Sequence, residues 1–150
     1  MTDVRGKRPE SVLVVIHTES GEVLLLRRRS PQDFWQSVTG SLKWGEQAHA
    51  AAERELAEEC GWVGLPIEDC GLTRRFVIQG GWRSRYDAEH SHNLEHWYSL
   101  RLPGRRAVNL NPAEHLEFKW LAWREAAELA SSSTNREAIL LLCGGDRPPD

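Results

Sequence analysis

Glu46, Glu55, Glu58 and Glu59 are four of the five carboxylates within Gly40–Trp62 (GSLKWGEQAHAAAERELAEECGW), a stretch with a glycine near each end. At about 100° per residue, Glu55, Glu58 and Glu59 share one arc of a helix. Like charges at this spacing cost an isolated helix roughly 0.2–0.5 kcal/mol per pair. Two readings of the arc compete. Glutamate is a good helix former, so it can be a solvated acidic face. Alternatively, a hard divalent cation such as Mg²⁺, which takes oxygen ligands, offsets the crowding. Ala48, Ala52 and Leu56 form a narrow apolar stripe beside the acids, and small alanines would let the helix lie close against a sheet. Arg54 stands among the acids, where it can hold one of them in place.

The elements that must position this helix are legible on both sides of it. Ser11–Thr18 (SVLVVIHT) is β-branched and apolar and reads as a largely buried strand. A turn at Glu19-Ser20-Gly21 returns the chain as a partner strand, Glu22–Arg29. Arg27, Arg28 and Arg29 end it, and alternation sends neighbours to opposite faces. They are either solvated or ion-paired, or one of them meets a phosphate. Phe34–Gly40 alternates and leads into the acidic segment, with Trp35 read as core. The helix is expected over Glu46–Cys60, stopped by Gly61 in a left-handed cap. Further strands are expected at Cys70–Gln79, Glu95–Leu102 and Leu116–Leu121, with polar, irregular chain at Trp82–His92. Two late helices follow, Trp123–Ala130 and a last one reaching about Cys143, for which Thr134 and Glu137 form a capping-box pattern. Residues 146–150 read as a frayed tail.

Composition narrows the function classes. A length of 150 residues suits one α/β domain with a real core, and we find no internal repeat or linker. A net charge of −3 leaves no basic footprint for a nucleic-acid polymer. Cys60, Cys70 and Cys143 lack metal-type spacing, and their odd number suits reduced thiols in a cytoplasmic protein. No apolar run reaches membrane length. His90, His92 and His96 have no framing cysteine or second ligand pair, so a solvated loop is the better reading than a zinc site. Nucleophilic catalysis is not indicated, because no Cys or Ser has an activating His at hand.

The full spacing is more specific than the acids alone. Five residues separate Gly40 from Glu46 and seven more separate Glu46 from Arg54; Glu55, Leu56, Glu58, Glu59 and Gly61 then follow, closed by Trp62. This resembles the Nudix box of the Nudix hydrolases at every specified position, although the family more often has an aliphatic residue at the place of Trp62. Lys7-Arg8-Pro9, Asp33–Gly40, Glu114-His115-Leu116, Lys119-Trp120-Leu121 and Asn135-Arg136 resemble one bacterial branch of the family, which removes pyrophosphate from a pterin triphosphate in folate biosynthesis.

The resemblance implies the Nudix fold, a mixed sheet between helices (α/β/α) with the box as loop, helix and loop. It implies Mg²⁺ dependence, with Mn²⁺ as a substitute. Glu55 and Glu59 match metal ligands, joined by Glu58, with Gly40 heading the set. Glu114 matches an acid from outside the box, either ligand or general base. Lys7, Arg28, Thr39, Phe76, Val77, Ile78, Gln79 and Ser132 match substrate contacts. Lys43 and Trp44 stand where the branch tends to carry acids. The partner implied is a small-molecule triphosphate, pterin or nucleotide. A house-cleaning nucleoside triphosphate pyrophosphohydrolase is the alternative enzyme. A non-catalytic Nudix-fold binding module is disfavoured because such modules usually lose box glutamates. Nothing in the sequence sets the oligomeric state.

Overall fold

The computed structural model describes residues 6–31, 33–78, 85–86 and 90–144. Gln79, most of the irregular segment 82–92 and the tail 146–150 lie outside the described residues. Strand β1 (Glu10–Thr18) is the central element, and Val12 to Ile16 are at most 2% exposed. An unbroken apolar run is what a strand covered on both faces requires. β1 pairs antiparallel with β2 (Glu22–Arg28) and β4 (Val38–Ser41), and parallel with β6 (His92–Leu102). Short β3 (Trp35–Gln36) and β7 (His115–Ala122) pair with β2, while β5 (Glu68–Val77) pairs with β6.

Strand alternation divides the core in two. Val12, Val14, Ile16, Leu24 and Leu26 point to one face, where Ala51, Ala52, Leu56 and Cys60 of α1 (Ala48–Cys60) cover them. Leu13, Val15, Val23, Leu25 and Trp97 point to the other, under α2 (Trp123–Leu129) and α3 (Ser133–Cys143). The expected mixed sheet between helices is therefore present, and the alanines of α1 sit against it as anticipated. Trp35 is core, at 7% exposure. Trp62 belongs to the α1-side core as well. It stacks on Trp120 with ring centroids 6.5 Å apart and donates Nε1–H to the Ala107 carbonyl at 2.7 Å, so the aromatic variant of that position is well seated.

Several boundaries shift for local reasons. The box helix starts at Ala48, not Glu46, because the Glu46 carboxylate is engaged by the Lys43 amide and by Arg54. Gly61 provides the left-handed cap, at φ 78°. β5 and β6 begin earlier than expected, at Glu68 and His92, and their register shifts between Asp69 and Thr73 beside left-handed Gly71. The capping box at Thr134 and Glu137 is not formed. Ser132 caps α3 instead, accepting from the Asn135 amide at 3.1 Å, while Glu137 pairs with Arg74 at 2.7 Å. Asn135 uses its side chain to stand in as a strand partner for Ser37, accepting from the Ser37 amide at 2.7 Å and donating to its hydroxyl at 2.9 Å. That fixes α3 on the kink between β3 and β4.

Candidate active site

The box helix delivers its acids to the edge of the sheet in two different environments. Glu55 and Glu59 turn inward and are buried, whereas Glu58 is exposed and leans towards Arg54 at 3.4 Å. The arc expected from the helix period is thus split. Arg54 is the organiser: it donates to both Glu46 oxygens at 2.9 Å, to Glu55 Oε1 at 2.8 Å and to the Ser41 carbonyl at 3.0 Å. These bonds hold the Glu46 carboxyl down at about 2 and the guanidinium well above its ordinary value. The loop between β4 and α1 is thereby tied to the helix.

Gly40 explains itself in this setting. A Cβ there would lie 2.1 Å from Cδ of Glu55, so only glycine lets that carboxylate rest against β4. Glu59 lies deeper, with Oε2 lacking any hydrogen-bond partner. Burial, then the charge of Glu55, push the Glu59 carboxyl well above the usual range; burial also raises Glu55, against the pull of Arg54. His115 approaches Glu59 Oε1 at 3.4 Å without a hydrogen bond. Burial and the Arg28 charge lower its imidazole to about 4, leaving it neutral at pH 7. It gives Glu59 no counter-charge.

Cations crowd the opposite wall. Burial lowers both Lys7 and Arg28, and each is lowered further by Arg85. Positive groups that depress one another around an open cleft form a site for an anion with several charged oxygens. The three arginines at the end of β2 divide the work: Arg27 pairs with Asp33 at 2.9 Å, Arg29 holds the Pro112 carbonyl at 3.0 Å, and Arg28 faces the acids. Trp44 has a clear use: its Nε1–H donates to the Gly6 carbonyl at 2.8 Å, fastening the segment that carries Lys7.

Two adjoining cavities, of about 760 and 620 Å³, make up the cleft. Glu55, Glu59, Arg85 and Glu114 line the first; Phe76, Val77, Ile78 and Ser132 line the second. Lys7, Arg28, Thr39 and Gly40 line both. Of the site residues expected from the sequence, Glu58 alone among those described does not line the cleft. Arg85, His115 and Glu95 line it and were not anticipated. Arg85 alternates with aromatics in a polar segment, which was the available signal. His96, read as a histidine of a solvated loop, instead meets Glu10 at 2.6 Å on β6.

Compared with known families, residues 7–142 match the NUDIX domain. The chain belongs to the Nudix family. It is 44% identical over 144 residues to the dihydroneopterin triphosphate diphosphatase of Escherichia coli K12, covering 93% of this chain and 95% of that protein. The enzyme of the same name from Haemophilus influenzae is 38% identical over 141 residues, covering 89% of this chain and 86% of that protein. The solved structure of the E. coli dihydroneopterin triphosphate pyrophosphohydrolase superposes with a TM-score of 0.86 at 42% identity, across 93% of this chain and 97% of that one.

Nudix hydrolases generally need a divalent metal. Two inward carboxylates, one with an orphaned oxygen and both raised above the ordinary carboxyl value by burial, fit a hard dication. Among the described residues no three such groups converge in this geometry, because Glu58 leans outward to Arg54.

Proposed function

We propose that this chain hydrolyses dihydroneopterin triphosphate to the monophosphate and pyrophosphate, with Mg²⁺ or Mn²⁺ held by Glu55 and Glu59. The observation that carries the reading is the continuous cleft, with buried acids at one end, a cavity with Phe34, Phe76, Val77 and Ile78 in its wall at the other and cations shared between them. A triphosphate on a flat ring has that distribution of charge. The relatives at 44% and 38% identity support the pterin as the ring.

When bound, the metal neutralises phosphate charge and lowers the pKa of a coordinated water. The chain's own residues do the rest. Arg28, Lys7 and Arg85 bind the phosphate oxygens by charge-assisted hydrogen bonds and hold the chain of phosphates in line. Water then adds across one phosphoanhydride bond: its oxygen bonds to phosphorus, the bridging P–O bond breaks and pyrophosphate departs. A glutamate takes the proton of that water. Glu114 suits this role because it lines the cleft and stays exposed, on a turn secured by Glu114 N–H to the Asn111 carbonyl at 3.0 Å and Arg29 N–H to the Glu114 carbonyl at 2.8 Å.

Glu114→Ala is expected to lower kcat by about 10²-fold with little change in KM, the usual scale for losing a general base. A large rise in KM at constant kcat would make Glu114 a substrate-binding residue instead. The substrate assignment is tested by kcat/KM for dihydroneopterin triphosphate, dATP, dGTP and 8-oxo-dGTP at one Mg²⁺ concentration. The pterin is expected to lead, with purine nucleotides slower. A nucleotide that beats it tenfold overturns the pterin reading in favour of a house-cleaning nucleotide pyrophosphohydrolase.

A further inference from the structure

Glu95 is a carboxylate in an unexpected place. It lies on β6, 5% exposed, on the same face as Asn93 and Trp97, and it lines the second cavity rather than the acid-bearing one. Burying a carboxylate away from any cation costs several kcal/mol unless hydrogen bonds compensate. Among the described residues no ion pair to Glu95 is present. What it has is one neutral hydrogen-bond donor, Trp97 Nε1–H at 2.9 Å, with the Thr134 hydroxyl near enough to favour the charged form. Thr134 is itself oriented, because Ser132, whose Oγ accepts from the Asn135 amide, stands 3.0 Å from Thr134 Oγ1 and can donate to it. The Trp97 contact is a donation and the Thr134 hydroxyl can only add another, so the side chain is held as an acceptor. A carboxylate has about four lone-pair sites, and two of them remain.

The cavity around it suits a flat heterocycle. Half-buried Phe34 and Phe76 and buried Ile78 supply apolar and aromatic wall, which stacks any ring with little discrimination. A polar acceptor with two open sites is what such a wall lacks for choosing between rings. We propose that Glu95 is the specificity-determining residue of the ring pocket, accepting both donors of an N–H/amino edge such as that of a pterin or a guanine. This deepens the proposed function and rests on it only for which ring is natural. Adenine presents an acceptor beside its amino group, so it would place a lone pair against Glu95 and bind poorly.

The test is Glu95→Gln, which keeps the size and lets the amide oxygen accept from Trp97, but replaces one open acceptor by a donor. That edge complements adenine and opposes guanine. We expect the ratio of kcat/KM for dGTP over dATP to fall by about ten- to hundred-fold, the discrimination a bidentate pair supplies, and the ratio for dihydroneopterin triphosphate over dATP to fall with it. A second measurement needs neither metal nor turnover: calorimetric binding of neopterin, the ring without phosphates, should weaken at least about tenfold. Parallel losses on all three triphosphates, or unchanged neopterin binding, overturn the proposal, since misfolding or a purely structural Glu95 cannot reverse a preference between bases. The two readings fail separately. A wild-type enzyme that prefers a nucleotide to the pterin sinks the pterin assignment, whereas an unaltered dGTP/dATP ratio in the variant sinks the role of Glu95.

Discussion

Glu59→Gln is expected to reduce kcat by about 10³-fold while making the metal-free protein more heat-stable at neutral pH. A metal ion on phosphoryl oxygens supplies several kcal/mol, and each 1.4 kcal/mol is about a factor of ten in rate. The stability half comes from burial. The Glu59 carboxyl is raised in the fold above its ordinary value of 4.5, by desolvation and then by Glu55. A group whose folded pKa is raised stabilises the fold below its unfolded pKa, and that contribution is lost as pH climbs through the folded value. The metal-free protein should therefore lose Tm as pH rises from about 4.5 towards the folded value, and the glutamine variant should lose much less. Divalent cation should restore Tm in the wild type and have little effect on the variant. Thermal melts across pH, with and without Mg²⁺, decide the matter; turnover within twofold of wild type would remove Glu59 from the metal site.

Gly40→Ala should cost about 10²-fold in kcat with only a small change in Tm. The added methyl would stand 2.1 Å from Glu55 Cδ and 2.2 Å from its Oε1, so the carboxylate must leave its place. Glu55 is the end of a flexible side chain, which keeps the folding cost low. It is also held by Arg54 at 2.8 Å, the same side chain that ties the helix to Glu46 and Ser41 of the loop, so moving it disturbs the network that aims the acids. Displacing a positioned group by about 1 Å is enough for a loss of about 10²-fold. Weakened Mg²⁺ or Mn²⁺ affinity by calorimetry should accompany it. Full activity in the variant would show that the position of Glu55 against β4 is irrelevant to the chemistry, and a collapse of Tm would make Gly40 a packing residue.

The fold and the acid end of the cleft were legible in the chain itself. An apolar run at Val12–Ile16, the alanine stripe of α1 and the fixed spacing from Gly40 to Trp62 are local patterns, and local geometry was enough to read them. The same geometry could not divide Glu58 from Glu55 and Glu59. Helix period puts all three on one arc, and only the sheet packed beneath α1 buries two and leaves the third to Arg54. The purpose of Trp44 was hidden because its partner is the carbonyl of Gly6, 38 residues away. Likewise Ser132 rather than Thr134 caps α3: its Oγ accepts from the Asn135 amide, while Thr134 is turned towards Glu95 on a distant strand. Glu95 was least visible. A strand alternates faces, but the sequence does not say which parity meets the core, nor that β1 and α3 leave a cavity opposite that residue. Sequence alone determined the acidic spacing that places this chain in the Nudix family. Tertiary structure decided which carboxylates lose their water and which groups line the cleft, because desolvation depends on the groups packed nearby in space, not on neighbours in the chain.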